Sequence, residues 1–405
     1  MNVDRMRAID FYFGKPLCFM ATLVLRPWWR ISSKHRSPRA PKNVLLMELS
    51  EMGSAILVDP AMRELILCGK EIFFVIFAKN APSLALLGTV PEKNVFRLRE
   101  QSLWLLAYDT WRFLFWCRRR DIDTVIDLEL FSRFTALLGA MCGAVRRVGF
   151  YRFHNEGLYR GELLSHRVAY NPHVHISKNF LSLVHALQAN KEELPFAKAY
   201  FPMPELAKRP PDKAEIAAVR KIINQYITIK PGARLVLVNA NASDMLPQRR
   251  WPATSFAEFI RLLLAHDRRI LVLLTGAPSE KPELERLAAQ VANARCVNFA
   301  GAVQFMQLPA LYEQARFMLT NDSGPAHFAA VTSMPTFVLF GPETPDLYSS
   351  LGTSTPIYAG MNCSPCVSAW NHRKTACSDN QCLKTITPQQ VLEVIKPALK
   401  IKQVL

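Results

Sequence analysis

Residues 317–342 constrain the fold of this chain more than any other stretch. The apolar run Phe317-Met318-Leu319 reads as a buried strand, and Asn321, Asp322 and Ser323 are all side chains that suit a helix N-cap. Gly324 lets a backbone come close to a ligand, and Pro325 suits a first helical turn. The helix that follows carries His327 near its start and stops at Met334-Pro335. A second buried strand over 336–340 then runs into the Gly341-Pro342 turn. Strand, helix start and strand in this order make a buried α/β unit. The open N–H groups of such a helix start, with the positive end of the helix dipole, suit a phosphate or diphosphate. An ordinary strand-to-helix turn carries the same caps, so these residues alone leave both readings open.

The same alternation runs from Asn43 onward, in the manner of a parallel sheet. Strands are predicted over 44–49, 72–77, 94–98, 124–128 and 147–150, with a turn at 50–54. Helices are predicted over 55–68, 103–119 and 131–142, and one containing 176–189 closes the series. Residues 195–211 hold five prolines, which disfavour helix and central strand alike. A second series follows: a helix over 212–226, then strands at 235–239, 270–275, 296–298, 317–319 and 336–340. A final helical pattern covers 383–400. At 405 residues the chain is too long for one ordinary core. The expected organisation is an N-terminal segment (1–42), an α/β domain (43–194), a linker (195–211), a second α/β domain (212–387) and a terminal helix (388–405). Two doubly wound, Rossmann-like domains would then face each other across a cleft, with ligands bound beyond the carboxyl ends of the strands.

The formal net charge is +17, which favours anionic partners: nucleic acid, anionic lipid or phosphorylated glycan. No zinc-finger spacing of the nucleic-acid type, RNA-recognition aromatic motif or bZIP-like basic helix accompanies the charge, so nucleic acid is not expected. Part of the excess lies in residues 1–42, where nine Lys and Arg face only Asp4 and Asp10, a local net of +7. Within them the apolar run 16–25 is too short for a bilayer span, which takes about 20 residues. Trp28 and Trp29 between Arg26 and Arg30 suit a headgroup boundary. The expectation is a monotopic anchor on the cytoplasmic face of the inner membrane; the competing one is a first helix packed on the globular body. Residues 32–42 read as a Pro-broken linker.

Several of these motifs together resemble glycosyltransferase family nine, the lipopolysaccharide heptosyltransferases. The likeness rests on Asn321-Asp322-Ser323-Gly324 followed by His327, on Asp127-Leu128, on Gly143-Ala144-Val145-Arg146-Arg147-Val148-Gly149-Phe150, and on Arg249-Arg250-Trp251-Pro252. It recurs along nearly the whole chain after residue 42. The resemblance implies a GT-B fold, a nucleoside-diphosphate sugar donor similar to ADP-heptose, and an anionic glycolipid acceptor such as lipopolysaccharide core. It implies a metal-free inverting transfer. Asp322, Ser323, Gly324 and His327 would then hold the diphosphate. Arg249 stands where the family has a phosphate-contacting Lys two residues before Trp; it is still cationic, though not equivalent to Lys. Glu280, after Thr275-Gly276, takes the place of the family acid that binds the donor ribose. A solvated arginine and a helix-start acid are the plain alternatives for these two.

The chain departs from the family at the first strand-to-helix turn. The family's catalytic Asp follows a Gly there, and here Gly53 is followed by Ser54. Serine is a poor base, so Glu51 in the same turn is the expected replacement, ahead of Glu48 in the strand; the alternative is a solvated Glu51 and a catalytically inactive glycan- or nucleotide-binding relative. A transferase with a protein acceptor is a further alternative. Cys363, Cys366, Cys377 and Cys382 form a C-x2-C-x10-C-x4-C segment that reads as a structural zinc site, as packed thiols or as redox-dependent disulfides. The five scattered cysteines, at 18, 68, 117, 142 and 296, read as reduced thiols. Asp121-x-Asp123 reads as a turn, His173-x-His175 as structural, and the aromatic run 104–120 as a helix facing the core through Leu105, Trp111, Leu114 and Phe115.

Overall fold

The computed structural model describes residues 3–33, 40–49, 51–130, 132–153, 159–189, 194–368 and 373–400. The chain divides into two compact units, Met1–Pro204 and Glu205–Leu405, and the division falls inside the proline-rich stretch.

The first unit is built on six strands: β1 (Asn43–Met47), β2 (Glu71–Phe77), β3 (Val95–Leu98), β4 (Thr124–Asp127), β5 (Arg146–Phe150) and β6 (His166–Val168). They lie in the order β3-β2-β1-β4-β5-β6, and every pairing is parallel. Its helices are α1 (Val3–Tyr12), α2 (Gly14–Ser33), α3 (Met52–Leu57), α4 (Asp59–Leu67), α5 (Pro82–Leu87), α6 (Leu103–Arg119), α7 (Arg133–Met141) and α8 (Ile176–His185). The helix expected over 55–68 starts earlier and breaks in two at Val58, where Pro60 cannot donate and its ring excludes a continuous helix. Right-handed crossovers put α3 to α5 on one face of the sheet and α6 and α7 on the other, because the strand order reverses after β3.

Residues 3–33 are part of this unit and pack on it, the arrangement named as the competing expectation to a separate membrane anchor. The Asp10 carboxylate accepts hydrogen bonds from the first amides of α7, Arg133 N at 2.9 Å and Phe134 N at 3.0 Å, and pairs with the Arg133 guanidinium. It acts as a distant cap at the positive end of that helix. Along α2, Cys18 is fully buried, and Ala21, Leu25 and Trp29 pack beside it against Ala136, Ala140 and Leu163. Gly161 has φ +73°, and a Cβ there would come 2.8 Å from the Cys18 carbonyl, so only glycine lets the 159–163 strand of chain press on α2. The Arg147 guanidinium lies 3.6 Å from the Trp29 ring, and burial lowers its pKa to about 10. Among the described residues no single helix is long and apolar enough to cross a membrane; α1 and α2 reach that length only as a pair bent by 40°.

The second unit repeats the plan with β7 (Arg234–Asn239), β8 (Ile270–Leu274), β9 (Cys296–Asn298), β10 (Phe317–Asn321), β11 (Thr336–Phe340) and β12 (Ser354–Tyr358). Their order is β12-β11-β10-β7-β8-β9, again parallel throughout. The helices are α9 (Lys213–Tyr226), α10 (Ala253–His266), α11 (Lys281–Val291), α12 (Leu308–Glu313), α13 (Gly324–Ala329), α14 (Pro345–Tyr348), α15 (Gln381–Lys384) and α16 (Pro388–Lys400). The four central strands β7, β8, β10 and β11 are covered on both faces, which is why they read as continuous apolar runs. Asp212 caps α9 and Glu215 returns the bond, so the proline-rich stretch ends in a firm helix start.

Candidate active site

In a doubly wound sheet the crevice for ligands opens where the strand order reverses. In the second unit that point lies between β7 and β10, whose residues Asn239 and Thr320 are directly paired. Asn321, fully buried at the end of β10, holds the point together. Its Oδ1 accepts from Trp251 N at 3.0 Å and its Nδ2 donates to the Ala240 carbonyl at 2.8 Å. Trp251 is itself buried, with its ring edge on Phe256 and its Nε1 donating to the Ile386 carbonyl at 3.0 Å. The Arg249 that precedes it is therefore fixed in place.

Arg249 and Arg250 have different work. Arg250 donates to the Ala242 carbonyl and pairs with Asp244, so it closes its own loop. Arg249 turns toward β10, where its Nη1 lies 3.7 Å from Asp322 Oδ2, with little of its side chain exposed. Its buried Nε has no hydrogen-bond partner among the described residues. At that spacing the pair is loose, and an anion could draw further on the guanidinium. The surface-arginine alternative is thereby set aside.

Asp322 is buried and its N–H donates to the Leu339 carbonyl, so it extends the β10–β11 pairing. Ser323 occupies the N-cap position of α13, yet its Oγ donates to the Asn321 carbonyl at 3.1 Å and caps nothing. The helix start is thus without a side-chain cap. A Cβ on Gly324 would come 2.9 Å from Cζ of Phe328, whose ring packs on Phe305, so packing within the chain also favours glycine here. His327 is buried within α13 beside these residues. Glu280 closes the turn before α11 by accepting from Ala277 N at 2.6 Å, which engages one of its two carboxylate oxygens. Glu343, which the sequence had not singled out, is buried beyond β11 with Arg373 Nε 3.5 Å away.

The reversal point of the first unit lies between β1 and β4 and is lined by acids. Glu51 is the N-cap residue of α3 and half-buried. Ser54 lies inside the first turn of α3, where a loop position was expected. Ser50, in the same turn, lies outside the described residues. The chain entering this turn is held on both sides: Leu49 N donates to Glu129 Oε1 at 2.9 Å, and Asn80 Nδ2 donates to the Leu49 carbonyl at 2.7 Å. Glu129 was missed in the sequence; its signal is its place two residues past the end of β4, opposite Leu49. Beneath it Asp127 is fully enclosed, in close contact with Arg160 and bonded to Thr135 Oγ1 at 3.0 Å. Burial pushes its carboxyl up to about 6 even against the arginine charge.

The four clustered cysteines are free thiols, as are the other five. Cys366 Sγ faces Thr375 Oγ1 at 3.5 Å, Cys377 Sγ donates to the Asp379 carbonyl at 3.2 Å, and Cys382 is buried. Among the described residues no three His, Cys, Asp or Glu side chains gather closely enough to hold a metal, while burial and then the neighbouring Cys366, Cys363 and Cys377 thiols raise the pKa of Cys382. The Asp123 carboxylate binds the amides of Lys42 and Asn43, and Asp121 has a positive φ, so this pair forms a turn. His175 accepts from Ser177 N at the start of α8.

Two parallel doubly wound units in one chain, the second with a cation and an uncapped helix start at its reversal point, define the GT-B class of glycosyltransferase fold. The sequence pattern of glycosyltransferase family 9 (heptosyltransferase) matches residues 112–384, and the chain belongs to that family. It is 32% identical over 155 residues to lipopolysaccharide heptosyltransferase 2 of Salmonella typhimurium, a match covering 38% of this chain and 43% of that one. It is 22% identical over 311 residues to the lipopolysaccharide core heptosyltransferase OpsX of Haemophilus influenzae, covering 76% of this chain and 81% of that one. The chain spans about half the length of the first curated relatives it matches, 43 to 55%. Among solved structures, the E. coli ADP-heptose lps heptosyltransferase II superposes with a TM-score of 0.67 at 22% identity, over 88% of this chain and 98% of that one. E. coli heptosyltransferase WaaC with ADP-2-deoxy-2-fluoro heptose superposes with a TM-score of 0.60 at 18% identity, over 88% of this chain and 99% of that one.

Proposed function

We propose that this chain transfers a heptose from a nucleoside diphosphate, ADP-heptose or a close analogue, to the core of a lipopolysaccharide-type glycolipid at the cytoplasmic membrane face. The observation that carries the donor half is Arg249 held against Asp322 by the Asn321–Trp251 bonds at the reversal point of the second sheet. In the reaction an acceptor hydroxyl oxygen attacks the anomeric carbon, the bond from that carbon to the phosphate oxygen breaks, and configuration inverts. Arg249, His327 and the α13 amides offset the charge that develops on the departing diphosphate. Glu51 takes the acceptor proton. Ser54 can donate a hydrogen bond but is too weak a base for that step.

The test begins with donor binding. Nucleoside diphosphates with different bases are titrated into the protein; the matching one, at 100 times its dissociation constant, adds about 2.7 kcal/mol to the melting stability of the unit that binds it. Release of nucleoside diphosphate from ADP-heptose is then followed with heptose-deficient lipopolysaccharide as acceptor. Absence of any stabilising nucleotide defeats the donor site. Tight donor binding with no turnover would mean an inactive relative, as Ser54 in the base position would allow.

A further inference from the structure

The aromatic helix α6 does not face the core in the way its sequence suggests. Its buried residues are Asp109, Phe113 and Cys117. Trp104, Tyr108, Trp111 and Phe115 form an outward stripe at four- and three-residue spacing, with Trp104 87% and Trp111 67% exposed. The rings of Trp111 and Phe115 stack at 6.5 Å. The guanidinium of Arg112 lies over Tyr108, and that of Arg119 over Phe115. A second unpartnered stripe runs along α2, where Leu17, Met20, Val24, Trp28 and Ile31 are all more than half exposed although the opposite side of the helix is packed on α7. Both stripes belong to one layer of the first unit. Helices α6, α2 and α1 all contact α7, and Met6 of α1 packs into the same core as Leu106 and Leu114 of α6.

We infer that α6 and the outer side of α2 together form a docking surface for an anionic lipid bilayer. Aromatic and aliphatic stripes of this size are costly to leave in water, and they are larger than a monomer's usual scattered apolar residues. Charge selects the occupant. Around the α6 stripe stand Arg112, Arg118 and Arg119, while its Asp109 is buried and bound to Arg99. Lys15 and Arg26 are exposed on α2. Tryptophan and tyrosine beside arginine match a headgroup boundary, and each cation near an anionic surface contributes about 1 kcal/mol. A neutral protein partner would have no use for this excess. The inference goes beyond the transfer reaction: it needs neither donor nor acceptor, so it stands or falls apart from the proposed activity.

The test is flotation of the full chain with vesicles of phosphatidylcholine alone and with phosphatidylglycerol added. Wild-type protein should bind the anionic vesicles, less so at high salt. Trp104→Ser with Trp111→Ser, and separately Leu17→Ser with Val24→Ser, should each weaken binding at least about tenfold with an unchanged melting temperature, since all four sites are exposed. Trp104→Phe with Trp111→Phe should retain most of the binding, and lipids brominated in the acyl chain should quench wild-type tryptophan fluorescence more than that of the α6 serine variant. Wild-type binding by the α6 serine variant would overturn the inference. So would loss of self-association in that variant, by sedimentation, with vesicle binding intact, which would assign the stripe to a second copy of the chain.

Discussion

Asn321→Ala separates the scaffold of the donor site from its chemistry. The asparagine side chain is fully buried, accepts from Trp251 N at 3.0 Å and donates to the Ala240 carbonyl at 2.8 Å. Truncation leaves both main-chain groups without their partner, at about 1–3 kcal/mol each. The total is roughly 2–6 kcal/mol, and for a unit of this size each kcal/mol lowers the melting temperature by about 2–4 °C. Taking about 4 kcal/mol as the centre, the second unit should melt about 8–16 °C earlier. Because Trp251 would no longer fix the preceding loop, nucleoside diphosphate affinity should fall as well, by a factor comparable with Arg249→Ala. Differential scanning calorimetry and nucleotide titration on the same samples read the two effects. Asn321→Asp keeps the acceptor for Trp251 N but sets a buried carboxylate oxygen against the Ala240 carbonyl, so it should be at least as damaging. An Asn321→Ala protein with wild-type melting would refute the structural account. One that melts early but binds nucleotide normally would refute the placement of Arg249 in the donor site.

Arg249→Ala should weaken nucleoside diphosphate binding about 10- to 100-fold, from the roughly 1.5–3 kcal/mol of a charge-assisted hydrogen bond, with Arg249→Lys in between; equal binding by all three proteins in calorimetric titration would exclude the contact. Glu51→Gln should keep donor affinity and lower turnover about 100- to 10,000-fold, while Ser54→Ala costs much less. Full turnover in Glu51→Gln would rule it out as the base and bring Glu129, hydrogen-bonded to Leu49 N, into question through Glu129→Gln. Burial raises the folded Asp127 carboxyl to about 6, from about 3.9 in an unfolded chain. A raised folded value means that the stability tied to this group is complete below about pH 4 and is lost as pH rises through 6. The stability difference between wild type and Asp127→Asn, from denaturant titrations, should therefore shrink from pH 4 to pH 7; a constant difference would contradict the assignment.

The central strands were legible because parallel strands buried on both faces are written as unbroken apolar runs, as at β2, β8 and β11. His166–Val168 was not, since a three-residue edge strand beginning His-Arg has no such run. The face of α6 was misread in part, since Leu114 packs on the core and Leu105 is half-buried but Trp111 and Phe115 point outward, and the reason is physical. An apolar stripe at helical spacing ordinarily faces the core, but here the buried side carries Asp109, whose charge is answered by Arg99 from beyond the end of β3 at 2.7 Å. Nothing local announces that partner. The same limit applies at the site. Asp322 and Arg249 each stand out by residue type, but the bonds through which Asn321 joins them span 70 and 81 positions. Residues 3–33 left an anchor and a packed helix both open because the packed side of α2 mixes small groups, Cys18, Ala21 and Thr22, with Leu25 and Trp29, residues that suit either setting.

The seat of α2 also sets an order of events during synthesis. Its inner side rests on Ala136, Ala140 and Leu163. A ribosome must therefore add roughly 130 residues after the helix before that seat exists, which at about 5–20 residues per second takes on the order of 6 to 26 s. Throughout that interval both sides of the helix are bare. On the bilayer docking proposed above, a nascent chain in this state would meet a lipid surface long before it has its own body to fold against. The first partner α2 meets need not be the one it shares a core with, and synthesis beside a membrane would leave the helix in place while the rest of the unit assembles onto it.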